Sequence, residues 1–307
     1  MPGEFDLIDW IRAQQTTSDL VNLPAGDDLA ILNWKSGDLL LAGCDQVLDG
    51  VHFDSNFHSP RAIGRKAMNR NLSDCAAMGC LPAAAVATVA LPKGRDVEYA
   101  KELYLGIKEA GEQFNCPIVG GETGTWDGKL AVTVTILGRT DLAVPVTRGG
   151  ARPGDSIYVT GPLGGSLSRG RHMTFTPRVK LGWFIATSGW AHAMIDLSDG
   201  LSRDLRHICQ RSGVGAVVEA HRIPVHDDAV ELAHDGRTPI ERALHDGEDY
   251  ELLFASPEQD EHLAAPASFN NAHACVRIGH FTVEHGVWLN RDGKREPLEP
   301  KGWEHQF

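Results

Sequence analysis

The sequence predicts an α+β protein with two domains, and three observations support this. Short apolar runs of the kind found in strands alternate with longer segments of helical periodicity. A stretch rich in Gly, Arg and Pro, residues 147–155, stands immediately before a new strand-like run. The 307 residues, 42% of them hydrophobic, are enough for two ordinary domains that each bury a core.

Strands and helices alternate along the first half of the chain. In chain order, the predicted elements are a strand at residues 38–42, a helix at 60–78, a strand at 85–89, a helix at 97–114, and strands at 130–136 and 156–160. The 147–155 stretch separates the last strand from the others. We therefore place the two domains at residues 1–147 and 148–307.

The charge balance and the apolar pattern exclude several classes of function. A formal net charge of −12 and no basic run predict that neither nucleic acid nor an anionic membrane is a partner. The longest apolar stretch, residues 83–91, is too short to cross a membrane, and the acidic N-terminus MPGEFDLIDW lacks the pattern of a secretion signal. The six cysteines include no C-x-x-C pair, so neither a disulfide framework nor a zinc site is indicated. We expect a cytoplasmic protein.

Two carboxylates lie three residues apart in the stretch IDLSDG, residues 195–200. If Asp196 and Asp199 are buried together, their like charges repel each other and require a cation. In the alternative interpretation Asp196 ends a strand, Asp199 or Ser198 caps a helix that begins near Leu201, and both carboxylates face water. These residues alone leave both interpretations open.

Similar acidic turns recur beside the predicted ends of strands and helices. They are GDD at residues 26–28, CDQ at 44–46, NLSD at 71–74, GET at 121–123 and DGED at 246–249. Carboxylates supplied by separate loops suit Mg²⁺, which bridges carboxylates to substrate phosphates. The glycine-rich segment GPLGGS at 161–166 lacks the lysine of a P-loop, and protein-kinase signatures are missing. Phosphoryl transfer would then draw on Mg²⁺, the backbone N–H groups of Gly120 and Gly121, and the guanidinium of Arg148.

Ordered motifs along nearly the whole chain carry a family resemblance. They are GEF at 3–5, GDD at 26–28 with Ala30, GVHF at 50–53, NLSD at 71–74 with AAMG at 76–79, GG at 120–121, TR at 147–148 with PGD at 153–155, IDLSDG at 195–200, GEDYEL at 247–252 and KGW at 301–303. With them the chain resembles the thiamine-monophosphate kinase family, in the superfamily that includes aminoimidazole ribonucleotide synthetase and selenophosphate synthetase. The combination of GVHF, GEDYEL and KGW favours the thiamine-phosphate branch.

The resemblance implies a fold, an assembly and a reaction. The N-terminal domain would be a four-stranded, ferredoxin-like sheet that binds ATP and Mg²⁺ and pairs with a second copy to form a dimeric barrel. The C-terminal α/β domain would complete the nucleotide and substrate site. The reaction would be the ATP-dependent phosphorylation of thiamine monophosphate to thiamine diphosphate, without a covalent enzyme intermediate and hence without a nucleophilic side chain. The implied partners are ATP, thiamine monophosphate and a second copy of the chain.

The matching positions carry the family's site roles. The implied metal ligands are Asp28, Asp45, Asp74, Asp196 and Asp199, together with the Cys44 position. The implied nucleotide contacts are Gly120, Gly121, Glu122, Arg148 and Ser198. The implied contacts of thiamine phosphate are His52, Glu248 and Trp303. We expect Asp28, Asp74 and the two IDLSDG carboxylates to share one Mg²⁺–phosphate cluster.

Three of these residues have structural alternatives. An aromatic face suits a cationic thiazolium ring and a carboxylate complements its charge, which favours recognition by Trp303 and Glu248. Trp303 could instead anchor the C-terminal tail, because buried aromatic residues usually serve packing. His52 could be packed at a strand end, and Arg148 could cap the linker between the domains.

The chain also departs from the family pattern. Cys44 stands where the family usually has a hydroxyl residue, and a thiol suits Mg²⁺ poorly. Glu122 replaces an aspartate, Asp246 replaces a glycine, and the segment 165–196 is short, with RHMTFTPR at 171–178 in place of a longer helical insert that would form a lid or substrate wall. Three hypotheses follow: a working thiamine-monophosphate kinase, a paralogous ATP-dependent enzyme with another small acceptor, and a degenerate member that binds nucleotide without turnover.

Overall fold

The computed structural model describes residues 7, 10–11, 13–16, 18–23, 31–141, 143–232, 236–265 and 275–303. These residues group into two compact units, one within Met1–Cys75 and Cys80–Leu142, the other within Ala76–Gly79 and Ala143–Phe307. Both units combine helices with a β-sheet, which confirms the predicted α+β class. The assignment of separate roles to residues 1–147 and 148–307 stays a prediction.

The first unit contains a four-stranded sheet and two long helices. Its elements are the short pair β1 (Val21–Leu23) and β2 (Ile31–Leu32), the strands β3 (Leu40–Leu48), β4 (Leu81–Pro92), β5 (Ile118–Trp126) and β6 (Ala131–Arg139), and the helices α1 (Pro60–Ala77) and α2 (Val97–Glu112). The sheet order is β3-β6-β4-β5, in which β4 and β5 are parallel and the other neighbours antiparallel. All five elements predicted for this half are present, and the first strand continues six residues past its predicted end, from residue 42 to Leu48.

One face of this sheet is covered and the other is open. Helix α1 connects β3 to β4 and α2 connects β4 to β5, and both connections move in the same direction across the sheet. Since connections between parallel strands are right-handed, both helices lie on the same face. Along β6, Val132 and Val134 are fully buried on that face, whereas the intervening Thr133 is partly exposed. On the opposite face Leu40, Val86 and Trp126 are 57%, 36% and 49% exposed. The open face therefore presents apolar side chains to its surroundings.

The two helices of the first unit cross at a pair of glycines. A Cβ on Gly64 would lie 2.1 Å from the carbonyl oxygen of Leu103, and a Cβ on Gly106 would lie 2.0 Å from the carbonyl oxygen of Arg61. The two backbones are therefore in direct contact, which any larger residue at either position would prevent. This close crossing fixes α1, which carries Asp74, over the covered face of the sheet.

The second unit is built on an eight-stranded sheet. Its strands are β7 (Ser156–Val159), β8 (Ala193–Asp196), β9 (Gly215–Glu219), β10 (Leu252–Ser256), β11 (His262–Leu263), β12 (Cys275–Thr282), β13 (Val287–Arg291) and β14 (Lys294–Pro297). Its helices are α3 (Ser166–Arg169), α4 (Val179–Thr187), α5 (Leu201–Ser212), α6 (Asp227–Glu231) and α7 (Pro239–His245), with 3₁₀ turns at Arg171–Met173 and Ala220–Arg222. The sheet order is β14-β13-β9-β12-β7-β10-β8, with β11 paired to β12.

The core of the second unit lies between this sheet and two of its helices. Leu205 and Ile208 of α5 and Ala243 of α7 pack with Ile195 and Leu253 of the sheet, and all five are at most 2% exposed. The core holds the end of β8 and the start of α5 in place, which is where the IDLSDG stretch lies. No described helix of either unit has the length and apolar composition that a membrane crossing requires.

Replacing Gly106 with alanine is expected to lower the free energy of unfolding by about 1–3 kcal/mol, because the new Cβ must push α1 and α2 apart. Urea unfolding of both variants measures this. Gly124→Ala is the matched control: a Cβ there meets no atom within 4 Å, so its effect should stay below ~0.5 kcal/mol. Equal stability of the Gly106→Ala variant and the wild type would contradict the close crossing.

Candidate functional site

The IDLSDG stretch connects a buried strand end to a helix start. Asp196 is the last residue of β8 and is 5% exposed, and α5 begins at Leu201. The N-cap residue of α5 is Gly200, which has no side chain to cap with. The proposed capping of this helix by Ser198 or Asp199 is therefore wrong.

The carboxylate that caps this turn comes from within the helix. Asp204 Oδ2 accepts hydrogen bonds from the backbone N–H groups of both Asp199 and Gly200, each at 3.1 Å. Sequence analysis missed this role of Asp204. The available signal was an acidic residue in the first turn of a helix whose preceding residue, glycine, cannot cap it.

Negative charge accumulates around this turn. Asp204 is 1% exposed, and burial, followed by the charges of Asp199 and Asp196, raises its pKa well above the usual value. Ligand atoms of Asp199, Asp204 and His207 lie within 4.8 Å of one another. Burial, and then the positive charge of Arg148, lowers the pKa of His207. The carboxylate oxygens of Asp196 and Asp199 are hard donors of the kind that Mg²⁺ prefers, so these two residues fit the implied metal, whereas the His207 imidazole suits it less well.

The backbone around Arg148 runs beside β8 and α5. The carbonyl oxygen of Thr147 accepts a hydrogen bond from the N–H of Met194 at 3.0 Å, and Ser212 Oγ donates to the carbonyl oxygen of Arg148 at 3.4 Å. Gly150 has φ 133°, and a Cβ there would lie 2.4 Å from the His192 carbonyl oxygen, so this position requires glycine. The backbone of Arg148 is thereby held beside β8 and α5, and the positive charge of its exposed side chain acts on His207 of α5.

Residues 247–251 lie directly against the IDLSDG turn. The Leu197 N–H donates to the carbonyl oxygen of Glu251 at 2.8 Å, and the Tyr250 N–H donates to that of Leu197 at 2.9 Å. The Glu248 N–H donates to the Ser198 carbonyl oxygen at 2.7 Å. Two motifs separated by about fifty residues in the sequence are therefore joined by backbone hydrogen bonds.

The C-terminal KGW motif reaches the same place. The Trp303 N–H donates to the Asp199 carbonyl oxygen at 3.0 Å, and a Cβ on Gly302 would lie 2.0 Å from that oxygen. The Trp303 side chain is not a buried anchor, since the residue is 48% exposed. Ser198, Asp199, Glu248 and Trp303 are thus neighbours, as a shared site requires.

The segment 171–178 contacts residues 248–251 at every acidic position. The guanidinium of Arg171 lies 3.0 Å from Asp249 Oδ1, and that of Arg178 donates to Glu251 Oε2 at 2.8 Å. Burial raises the pKa of Asp249 to about 7, against the opposing effect of Arg171. The predicted loss of a lid or substrate wall stays a prediction, but the short segment is an integral part of this site.

In the first unit, Asp45 and Asp74 share the covered face of the sheet. Asp45 Oδ2 accepts a hydrogen bond from Arg70 Nε at 2.8 Å, and its N–H donates to Asn71 Oδ1 at 3.2 Å. Asp74 Oδ2 would lie 3.9 Å from a Cβ on Gly43. Because Gly43 has no side chain, the Asp74 carboxylate of α1 can lie over the strand that carries Asp45.

Cys44 and Glu122 lie on the other, open face. Residues 44–46 and 121–123 are in the middle of β3 and β5, so the prediction that they lie beside strand ends is wrong. Successive strand residues point to opposite faces, which separates the Cys44 thiol from the Asp45 carboxylate. The Thr135 hydroxyl donates to Cys44 Sγ at 3.4 Å. Since β3 and β5 are the two edges of the sheet, Cys44 and Glu122 are roughly 14 Å apart within one sheet.

The glycine pair of β5 allows close strand pairing. A Cβ on Gly121 would lie 2.0 Å from the carbonyl oxygen of Ala87 in β4, whereas Gly120 has no comparable conflict. Gly121 is thus required by packing as well as being a candidate nucleotide contact. Its exposed position on an edge strand leaves backbone available to a ligand.

His52 is held by the end of β3. The Leu48 N–H donates to His52 Nδ1 at 3.0 Å, and Lys66 Nζ donates to the His52 carbonyl oxygen at 2.6 Å. Because Nδ1 accepts the hydrogen bond from Leu48, the ring proton is on Nε2. The residue is 9% exposed. The contacts with Leu48 and Lys66 agree with the alternative that His52 is packed at a strand end. A role of His52 toward a substrate stays a prediction. Asp28 lies outside the described residues, and its convergence with Asp74 and Asp196 stays a prediction too.

Comparisons with known proteins agree with these motifs. Residues 26–140 match the model of the AIR synthase related protein, N-terminal domain, and residues 152–289 match that of the C-terminal domain. A thiamine-monophosphate kinase of Rhodopirellula baltica is 39% identical over 98% of this chain and 97% of its own length.

Two solved structures are similar over almost their full lengths. The thiamine-monophosphate kinase from Stenotrophomonas maltophilia has a TM-score of 0.80 and 31% identity, covering 96% of this chain and 98% of that one. AaThiL complexed with AMPPCP and TMP has a TM-score of 0.76 and 34% identity, covering 99% of this chain and 97% of that one. By its motifs, its two domain matches and its full-length relatives, this chain belongs to the thiamine-monophosphate kinase family of AIR synthase related proteins.

Proposed function

We propose that this protein transfers the γ-phosphoryl group of ATP to the phosphate of thiamine monophosphate, giving thiamine diphosphate. The observation that carries this function is the backbone pairing of the IDLSDG, GEDYEL and KGW motifs in a member of the kinase family. That pairing places the IDLSDG turn, with its two aspartates, beside Glu248 and the half-exposed indole of Trp303. A relative with 34% identity binds AMPPCP and TMP together.

Glu248, Trp303 and His52 would recognise thiamine monophosphate. Thiamine carries a cationic thiazolium ring, which an aromatic face and a nearby carboxylate both attract. The indole of Trp303 is 48% exposed, so it offers a face to a ligand, and its backbone is fixed to Asp199 beside Glu248. His52, with its ring oriented by Leu48, would contribute an Nε2–H donor to the substrate.

Arg148, Ser198 and the glycine pair of β5 would contact ATP. A guanidinium neutralises phosphate charge and donates in a planar fork that matches phosphate oxygens. Backbone N–H groups at Gly120 and Gly121 can approach phosphates closely because no side chain intervenes. Glu122 follows them on the open face of the sheet and belongs to the same proposed nucleotide contact.

The metal ligands would be Asp45, Asp74, Asp196 and Asp199. All four are hard oxygen donors, and two of them, Asp196 and Asp199, lie at a turn where burial and then their charges raise the pKa of Asp204. When bound, Mg²⁺ neutralises the charge that develops on the transferring phosphoryl group. Asp28 remains a proposed ligand on its motif alone, and the Cys44 thiol, which suits Mg²⁺ poorly, is a weak candidate.

We also assign a homodimer, formed through the open face of the four-stranded sheet. Leu40, Val86 and Trp126 are exposed on this face, and an apolar sheet face of this kind is normally covered by a partner. A cytoplasmic location agrees with the six cysteines, all of which are free thiols.

The direct test of function is to incubate the purified protein with ATP, Mg²⁺ and thiamine monophosphate and to quantify thiamine diphosphate and ADP by chromatography. Equimolar formation of both is expected, together with loss of activity when EDTA removes Mg²⁺. A panel with thiamine and other small phosphorylated acceptors runs in parallel. Turnover of a different acceptor, with none of thiamine monophosphate, would favour the paralogous enzyme, and ATP binding without turnover would favour the degenerate member.

Asp196→Asn is expected to lower turnover by roughly 100-fold or more, because the variant keeps the shape of the side chain but loses the charge that would hold the cation. Its melting temperature without ligand should be unchanged or higher, since one repelling charge is removed. Mg²⁺-ATP should raise the melting temperature of the wild type more than that of the variant.

Asp127→Asn is the control for this experiment, because the Asp127 side chain is 85% exposed in the loop between β5 and β6. It should match the wild type in turnover and in its response to Mg²⁺-ATP. Near wild-type turnover of the Asp196→Asn variant would remove Asp196 from the proposed metal site.

Val86→Asp tests the proposed dimer, because it adds a charge to the middle of the open face without touching the covered face. Sedimentation at micromolar concentration should show a dimer for the wild type and a monomer for this variant. Val283→Asp, at a position that is 77% exposed in the second unit, should stay dimeric. A wild-type monomer, or a Val86→Asp dimer as stable as the wild type, would contradict the assignment.

A further inference from the structure

Residues 171–178, which we call the clamp segment, contact residues 248–251, which we call the acidic turn, in four successive pairs. Each residue of the acidic turn has a partner in the clamp segment. The pairs are Glu248 with His172 (Oε2 to Nδ1, 2.8 Å), Asp249 with Arg171 (Oδ1 to guanidinium, 3.0 Å), Tyr250 with Phe175 (ring centroids 3.9 Å apart, interplanar angle 11°) and Glu251 with Arg178 (Oε2 to Nε, 2.8 Å). The clamp segment therefore helps to position all four side chains, together with the Tyr250 hydroxyl at Glu248 Oε1 (3.4 Å), the Gly164 N–H at Asp249 and the Thr160 hydroxyl at Glu251.

The acidic turn has a strained backbone conformation that contacts with other residues must stabilise. Glu248 and Tyr250 have φ values of 61° and 54°, in the left-handed region that residues with a Cβ rarely adopt. Three carboxylates within four residues also repel one another. Such a turn persists only where its surroundings fix it, and strained turns of this kind are concentrated at functional sites.

The three acidic residues differ in the kind of group that faces them. Arg171 and Arg178 are permanently charged, so their carboxylate partners, Asp249 and Glu251, are neutralised as ion pairs. Asp249 and Glu251 are also 3% and 6% exposed, too buried to meet a ligand. The Glu248 side chain is 14% exposed, and its pair in the clamp segment is a histidine rather than an arginine. Glu248 is therefore the acidic residue of the turn that can meet a cationic ligand.

The Glu248 backbone and side chain are held by different partners. Its N–H donates to the Ser198 carbonyl oxygen at 2.7 Å, and its carbonyl oxygen accepts from Ser166 Oγ at 2.7 Å. His172 contacts the carboxylate, and at 3% exposure the imidazole has no room to turn. Removing the imidazole should therefore loosen the Glu248 carboxylate, which of these two bonds keeps only the longer 3.4 Å contact of Oε1 with the Tyr250 hydroxyl, and leave its backbone in place.

We propose that His172 is a positioning residue for thiamine phosphate: its Nδ1–H binds Glu248 Oε2 and thereby fixes the orientation of the carboxylate that faces the cationic thiazolium ring. This deepens the proposed function and depends on it, because it takes Glu248 as a substrate contact. Preorganisation of a carboxylate lowers the entropy that the ligand must otherwise supply on binding. The role is one of substrate affinity, and His172 itself does not contact the reacting phosphates.

The test compares His172→Asn, His172→Gln and His172→Leu in steady-state kinetics and in calorimetric binding of thiamine monophosphate. The amide nitrogen of Asn can take the place of Nδ1, whereas that of Gln takes the place of Nε2. We expect Leu and Gln to raise KM and Kd for thiamine monophosphate about 10-fold, with KM for ATP within about twofold of the wild type and Asn close to the wild type. If the Leu variant does not fold, the comparison of the Asn variant with the Gln variant decides the test.

Arg178→Lys is the control for a merely structural effect, because it loosens the clamp segment at Glu251 and leaves His172 and Tyr250, which both contact the Glu248 carboxylate, unchanged. It should lower the melting temperature and change the two substrates' KM values alike. Wild-type affinity of the Gln variant for thiamine monophosphate, or an equal loss of affinity for ATP and thiamine monophosphate, would overturn the role of His172. Either result would leave the proposed function intact. A wild-type protein that neither binds nor phosphorylates thiamine monophosphate would overturn the proposed function and this role with it.

Discussion

The antiparallel pairing of β8 with β10 is the interaction on which the candidate site of the second unit depends. Within the sheet, Asp196 is opposite Leu252 and Ile195 is opposite Leu253. The hydrogen bonds continue past the strand ends, from Leu197 to Glu251 and Tyr250 and from Ser198 to Glu248. Because the ladder continues into both loops, two acidic motifs that are far apart in the sequence become neighbours. The C-terminal KGW motif extends this arrangement through the bond between Trp303 and Asp199.

This pairing brings several carboxylates close together, and the surrounding residues offset their mutual repulsion in different ways. Arg171 and Arg178 neutralise the two deeply buried acids of the 248–251 turn. At the facing turn Asp204 accepts two backbone N–H bonds, yet burial and the charges of Asp199 and Asp196 still raise its pKa. Carboxylates are thus concentrated at the start of α5, the helix on which the positive charge of exposed Arg148 also acts, which is what a site for metal-bound phosphates requires. Asp249, Glu251 and Asp204 hold the fold through these bonds.

The sequence predicts five of the helices and strands of the first unit, and its motifs identify the residues around the IDLSDG and GEDYEL turns. The apolar periodicity of β6 and of α2 is strong because each buries one face in a core. Two features were not predictable from local pattern. The cap of α5 comes from Asp204 because Gly200 has no side chain, and the contacts of residues 171–178 join segments about seventy residues apart, which only the folded sheet brings together. The strand position of Cys44 was also missed, since β3 extends beyond its most apolar residues.

The central claim is that the joined IDLSDG, GEDYEL and KGW motifs form one substrate and metal site. A crystal structure of the protein with Mg²⁺, a non-hydrolysable ATP analogue and thiamine monophosphate tests it most directly. We expect Mg²⁺ on the carboxylates of Asp196 and Asp199, and the thiamine rings against Glu248 and the Trp303 indole. Thiamine monophosphate bound away from Glu248 and Trp303, with no metal on either aspartate, would contradict the account.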